Sequence, residues 1–200
     1  MKYCAIDLDD VCGSLAAVLN PALNKTFNRD IPVESWLSFC MFPLYDITIE
    51  QFFDVIISQK LLSKMMPFAD TRRALQRLRD AGYKVVLITS RGYHPDALAL
   101  TMAWLKEHDL PFHDLIIKPE GVTKAQAAKD LYPSGFEFMV DDFDSNLDHM
   151  RDAKMARDLI LIDQPWNRTR TDYHAGKNRY KSLGQYVDRL LEHENVAQMA

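Results

Sequence analysis

Three carboxylates, Asp7, Asp9 and Asp10, stand within four residues at the end of an apolar run, YCAIDLDDV. Like charges this close repel, and carboxylates at a strand end are costly unless a cation or a positive side chain compensates them. The stretch therefore asks for a metal. Two further polar clusters follow apolar runs in the same way: Thr89, Ser90 and Arg91 after KVVLI, and Asp141 and Asp142 after FEFMV.

The elements that must position these residues alternate along the chain. Residues 2–8, 84–90, 113–118, 136–141 and 158–163 read as short strands, apolar enough to be buried on both faces. Helical patterns lie between them at 70–82, 95–110, 123–131 and 145–154; Gly82 ends the first. Such alternation predicts an α/β fold, a three-layer Rossmann-like parallel sheet with helices on both sides. Ligands gather at the carboxyl ends of the strands in such sheets, where the acids fall.

The stretch from 12 to 66 is far longer than a crossover requires. It carries helical patterns of its own and the aromatics Phe27, Trp36, Phe39, Phe42, Tyr45, Phe52 and Phe53. An excursion leaving the sheet beside a catalytic-looking loop is well placed to cover it. Residues 15–66 are therefore expected to form a helical cap, with 1–14 and 67–200 forming the core domain.

Composition narrows the classes. Two hundred residues with 48% hydrophobic and 26% charged content suffice for one globular unit with a real core. The net charge of −4, with scattered Lys and Arg, disfavours a nucleic-acid-coating protein or a membrane-surface binder. No leader-like run precedes the first strand and no stretch approaches 18 apolar residues, so a cytoplasmic location is expected. Three cysteines, Cys4, Cys12 and Cys40, lack the spacing of a disulfide framework or a zinc site. His94 reads as a loop or rim residue, Asp144 and Asp148 as acidic positions on a helix, and NRTRTDYHAGKNRYK as a solvated connection to the last helix.

Taken together, four motifs resemble the haloacid dehalogenase superfamily of phosphotransferases: Asp7-Leu8-Asp9-Asp10-Val11, Thr89 in VVLITSR, Lys124 in GVTKAQ, and MVDDFDSN. The resemblance covers roughly residues 2–165. It implies that Asp7 attacks phosphorus to form an aspartyl phosphate, while Asp9 protonates the leaving oxygen and later activates water. It implies Mg²⁺ held by the Asp7 carboxylate, the Asp9 main-chain carbonyl and Asp142, with Asp141 second and Asn146 in support. Thr89 would hydrogen-bond the phosphoryl oxygens and Lys124 would offset the negative charge. Lys118 competes with Lys124 for the lysine role.

Asp at the second position of the first motif argues for a phosphatase. The small cap, the VDD motif and LIDQPWNR look like the 5'(3')-deoxyribonucleotidases. The expectation is a Mg²⁺-dependent phosphomonoester hydrolase acting on nucleoside 5'-monophosphates, with Ser90 and Arg91 binding substrate and Trp36, Phe39 or Phe42 enclosing the base. The chain departs from the family's DxDGVLADF pattern, with Asp10 for Gly and Leu15 for an aromatic, so base stacking must come from elsewhere in the cap. A polynucleotide 3'-phosphatase is the alternative, and the intact acids disfavour a catalytically silent binding domain. The expected partner is a small phosphate ester, with no membrane and no stable nucleic-acid partner; a homodimer is left open.

Overall fold

Residues 1–199 are described in a computed structural model. Six parallel strands form the main sheet in the order β5-β4-β1-β6-β7-β8: β1 Lys2–Ile6, β4 Tyr83–Thr89, β5 Asp114–Ile117, β6 Phe136–Asp141, β7 Ala156–Ile162 and β8 Arg179–Tyr180. The first strand lies centrally, Cys4 pairing with Val85 on one side and Phe138 on the other. Alternate residues feed two cores. Cys4, Ile6, Val85, Leu87, Phe138 and Val140 enter one; Ala5, Val86, Ile88 and Met139 enter the other. Burial on both faces is why these strands are near-continuously apolar.

Helices α4 (Thr71–Asp80), α5 (Ala97–Glu107) and α8 (Leu183–Met199) pack on the first core; α6 (Lys124–Lys129) and α7 (Asp144–Asp152) pack on the second. The five strands read from the sequence are present within a residue or two, and the fold is the α/β sheet that was expected. The sixth was missed. Strand β8 is only two residues long and lies inside the segment read as a solvated connection. No described helix is long and apolar enough to cross a membrane.

Strands β2 (Gly13–Ser14) and β3 (Met66–Pro67) pair antiparallel and form a stem. A Cβ on Gly13 would lie 2.9 Å from both Met65 Cε and Trp104 Cζ2, so this close approach requires glycine. The stem carries α1 (Ala16–Phe27), α2 (Ile49–Ser58) and α3 (Leu61–Lys64), which share a core of Leu19, Leu23, Trp36, Tyr45, Val55, Ile56, Leu61 and Leu62. Helix α2 starts at a capping box in which the Thr48 hydroxyl accepts from the Gln51 amide and the Gln51 side chain accepts from the Thr48 amide.

The segment around β8 is braced by arginines. Arg170 donates to Asp148 (2.7 and 3.0 Å), Asp144 (2.9 Å) and Asp172 (2.9 Å), and Arg179 donates to Asp163 at 2.7 Å and to the carbonyls of Asn167 and Arg170. Asp144 and Asp148 are thus tied to a cation rather than merely solvated. Hydrogen bonds from Arg170 hold Asp172 down to a pKa of about 2 and place Asp148 below the usual carboxylate range. A depressed carboxylate pKa gives stability that is complete above the unfolded value, near 3.8, and is lost as pH falls towards 2. Arg170→Met should lower stability near neutral pH by about 1 kcal/mol, or about 2–4 °C in Tm. The gap from the parent should close between pH 4 and 2 in thermal melts.

Candidate active site

The carboxyl ends of β1 and β6 bring Asp7, Asp141 and Asp142 together, with one oxygen of each within 4.8 Å of the others, all three residues buried. Between two of them lies a buried ammonium. Lys124, first residue of α6, donates to Asp7 Oδ1 in a short contact and to Asp141 Oδ2 at 2.7 Å. Its position follows from a capping box at Thr123 and Gln126, which fixes the start of α6 beside the sheet. Burial works against the charge on Lys124, but Asp141 and Asp7 overcome it and hold its pKa above the ordinary lysine value. Lys118 is only half-buried, and its ammonium meets the Pro119 carbonyl at 3.1 Å.

The two acids of the pair differ in their partners. Asp141 accepts from Lys124, from the Phe143 amide at 2.9 Å and from Asn146 at 3.2 and 3.3 Å. The Asp142 carboxylate accepts from the Trp166 indole at 2.8 Å, while its main-chain carbonyl accepts from Asn167 at 2.8 Å. Burial pushes the pKa values of Asp7 and Asp142 up, Asp141 adds to both, and Lys124 opposes the rise. Three buried carboxylates facing one lysine leave negative charge uncompensated. An all-oxygen set of this kind fits a hard divalent cation.

Asp9 points to a different partner. Its carboxylate receives Arg91 Nε at 3.0 and 3.2 Å, Arg91 Nη2 at 2.6 Å and the Thr89 hydroxyl at 3.3 Å. Asp10, which stands where the resembled family has glycine, has φ 58°, the left-handed region that Asp tolerates better than most residues. Its carboxylate accepts from the Ala16 amide at 3.0 Å, where α1 begins. The position thus keeps the backbone that suits glycine, and Asp adds a carboxylate that ties the start of α1.

Above the acids is a cavity of about 460 Å³, whose lining includes Asp7, Asp9, Asp142, Lys124, Ser90, Phe39 and Phe42. Three aromatic pairs cross from the cap to the sheet domain: Phe39 stacks on Phe143 at 3.8 Å, Phe53 on Tyr93 at 4.1 Å, and Trp36 packs against Trp166 at 6.1 Å. Trp36 reaches the cavity wall but is fully buried, and its indole donates to the Tyr45 hydroxyl at 3.3 Å. Its ring packs with Leu19, Leu23 and Tyr45. Arg91 does not line the cavity and has no exposed surface, unlike the neighbouring Ser90. His94 is buried and accepts from the Asp96 amide at 3.0 Å, a turn contact rather than a rim position.

Sequence reasoning missed Trp166, Tyr93 and Phe143. Trp166 was visible only as part of PWN; the roles of Tyr93 and Phe143 depend on where the cap comes down. Nothing in their local spacing signals that.

A DxD at the end of the central parallel strand, a lysine and an acidic pair on neighbouring elements, and a helical insertion after the first motif define a haloacid dehalogenase-like protein. The fold agrees with solved structures. A "predicted phosphatase" from Clostridium acetobutylicum superposes with TM-score 0.68 at 12% identity, over 96% of this chain and 98% of that one. A haloacid dehalogenase-like family hydrolase from Streptococcus pneumoniae gives TM-score 0.59 at 11% identity, over 100% and 99%. More narrowly, the family described as "5' nucleotidase, deoxy (Pyrimidine), cytosolic type C protein" matches residues 2–187, and the chain belongs to that family. It is similar, at 29% identity over 141 residues, to a Chlorobaculum tepidum protein named "Putative 5'(3')-deoxyribonucleotidase"; the match spans 64% of this chain and 66% of that protein.

Removing the buried cation between Asp7 and Asp141 tests the electrostatics directly. Lys124→Met should destabilise the fold by about 3–5 kcal/mol, since it leaves buried carboxylates unpaired. Millimolar Mg²⁺ should recover part of that loss in urea unfolding, as a second cation entering the same acidic site.

Proposed function

We propose that the protein is a Mg²⁺-dependent phosphomonoester hydrolase that works through an aspartyl phosphate and dephosphorylates nucleoside 5'-monophosphates, deoxy forms foremost. The observation that carries this reading is the Asp7–Lys124–Asp141 cluster, with Asp142 beside it, at the foot of a cavity roofed by cap aromatics. Asp7, the Asp9 main-chain carbonyl and Asp142 would hold the metal. Bound there, it would supply a Lewis acid that neutralises negative charge during phosphoryl transfer. Asp141, engaged by Lys124, Asn146 and the Phe143 amide, suits a supporting role.

In the first half-reaction Asp7 attacks phosphorus, the ester P–O bond breaks, and the leaving oxygen takes a proton from Asp9. In the second, Asp9 takes a proton from water as that water attacks phosphorus, and phosphate leaves Asp7. Lys124 offsets charge on Asp7 and the phosphoryl oxygens, while Thr89, expected from the sequence at the phosphoryl oxygens, is fully buried outside the cavity lining and donates its hydroxyl to Asp9. Residues 15–66 act as a cap that excludes bulk water, which strengthens each of these interactions.

Three measurements check the reading. Asp7→Asn should abolish phosphate release, and Asp9→Asn should lower it about 10²- to 10⁴-fold, the range of a lost general acid. Chelation should silence the enzyme and Mg²⁺ restore it, with Asp142→Ala raising the Mg²⁺ requirement more than Asp141→Ala; activity that survives exhaustive chelation overturns the metal mechanism. Phe39 lines the cavity and is part exposed, so Phe39→Ala should raise KM for a nucleoside monophosphate about 5- to 150-fold, from about 1–3 kcal/mol of base stacking. It should leave KM for p-nitrophenyl phosphate nearly unchanged. Preference for a 3'-phosphorylated oligonucleotide over any mononucleotide would replace the substrate assignment with an end-processing phosphatase.

A further inference from the structure

We infer that Arg91 is a positioning residue for Asp9, not a substrate ligand, and that it aims the Asp9 carboxyl at the oxygen leaving phosphorus. The inference rests on the phosphatase reading above. Ser90 and Arg91 both follow strand β4, and from the sequence both were expected to bind substrate. The structure separates them. Ser90 is exposed at the cavity, whereas Arg91 is fully buried away from it.

Every nitrogen of the Arg91 guanidinium has a partner. Nε and Nη2 hold the two oxygens of Asp9, Nη1 donates to the Thr101 hydroxyl at 3.0 Å, and Nη2 also lies 3.8 Å from Met65 Sδ. Its central carbon sits 6.0 Å from the centre of the Trp104 ring. Thr101 and Trp104 belong to α5, and Met65 immediately precedes β3 of the stem, to which Trp104 is bonded through the Met65 carbonyl at 2.6 Å. A rigid fork gripped on these sides cannot swing to a phosphate without leaving a buried guanidinium and Asp9 both unpaired. What it can do is fix one side chain. The Asp9 side chain retains 21% exposure and lines the cavity, so the carboxyl is held from behind and presented in front.

Leaving-group dependence tests this, because kcat/KM reports steps up to release of the first product. An alkoxide from a nucleotide needs the proton; p-nitrophenolate, stable as an anion near neutral pH, needs it little. Arg91→Met should cut kcat/KM for a nucleoside monophosphate about 100-fold, within the range for general-acid catalysis, and cut that for p-nitrophenyl phosphate at least ten times less. Equal losses on both esters, or no loss on either, overturn the positioning role. Should Arg91→Met fail to fold, Thr101→Val keeps the charge but frees one edge of the fork. It should show the same unequal loss at several-fold scale, and an equal loss or none there is equally decisive. A parent protein inactive on every phosphate ester would instead count against the phosphatase reading itself.

Discussion

The ammonium of Lys124 is the interaction on which the site depends. Parallel strands end with their carboxyl termini side by side, and here those ends carry Asp7, Asp141 and Asp142 into a buried volume where ionised carboxylates repel and lose their hydration. One lysine, delivered by the first turn of α6, makes the arrangement tolerable while leaving it deficient in positive charge. That deficiency is the physical basis for reading the cluster as a cation and phosphate site. A fully neutralised cluster would have no use for a metal, and an entirely uncompensated one would push its acids towards the protonated state.

The remaining polar contacts keep the acids distinct. Asp141 is immobilised by an ammonium, an amide and Asn146; Asp142 leans on Trp166; Asp9 is gripped by Arg91; Asp10 turns away to the amide of Ala16. With Asp7 held by Lys124, five carboxylates at the ends of two strands thereby take five different environments. Chemistry that uses one carboxylate as nucleophile and another as proton carrier requires that difference, because identical environments would give identical behaviour.

The helical insertion after β2 meets the elements around the main sheet through aromatic faces. The Phe39–Phe143 and Phe53–Tyr93 stacks and the Trp36–Trp166 contact join the two parts around the cavity. Trp166 has a second attachment, its indole bonded to Asp142, so a residue that packs on the cap also orients a carboxylate of the site. Apolar contacts of this kind exclude water without adding charge to a site whose electrostatics are already balanced narrowly.

Much of this was legible in the chain. Asp7, Asp9 and the Asp141–Asp142 pair follow strand-like runs, and strand ends in a parallel sheet converge, so the acids could be assigned to one place before any coordinates. The same alternation of strands and helices specified the sheet and marked residues 15–66 as an excursion from it. Tertiary structure alone decided the partners. Arg91 and Ser90 are adjacent in sequence, yet one is locked behind Asp9 and the other faces the cavity, because in the loop that follows β4 only Arg91 meets Asp9 and Thr101 of α5. Lys118 and Lys124 were equivalent as charges until the start of α6 carried one of them to Asp7. Strand β8, too short to leave a periodic signal, and the pairing of Trp36 with Trp166 across 130 positions depend on long-range packing, which local spacing does not encode.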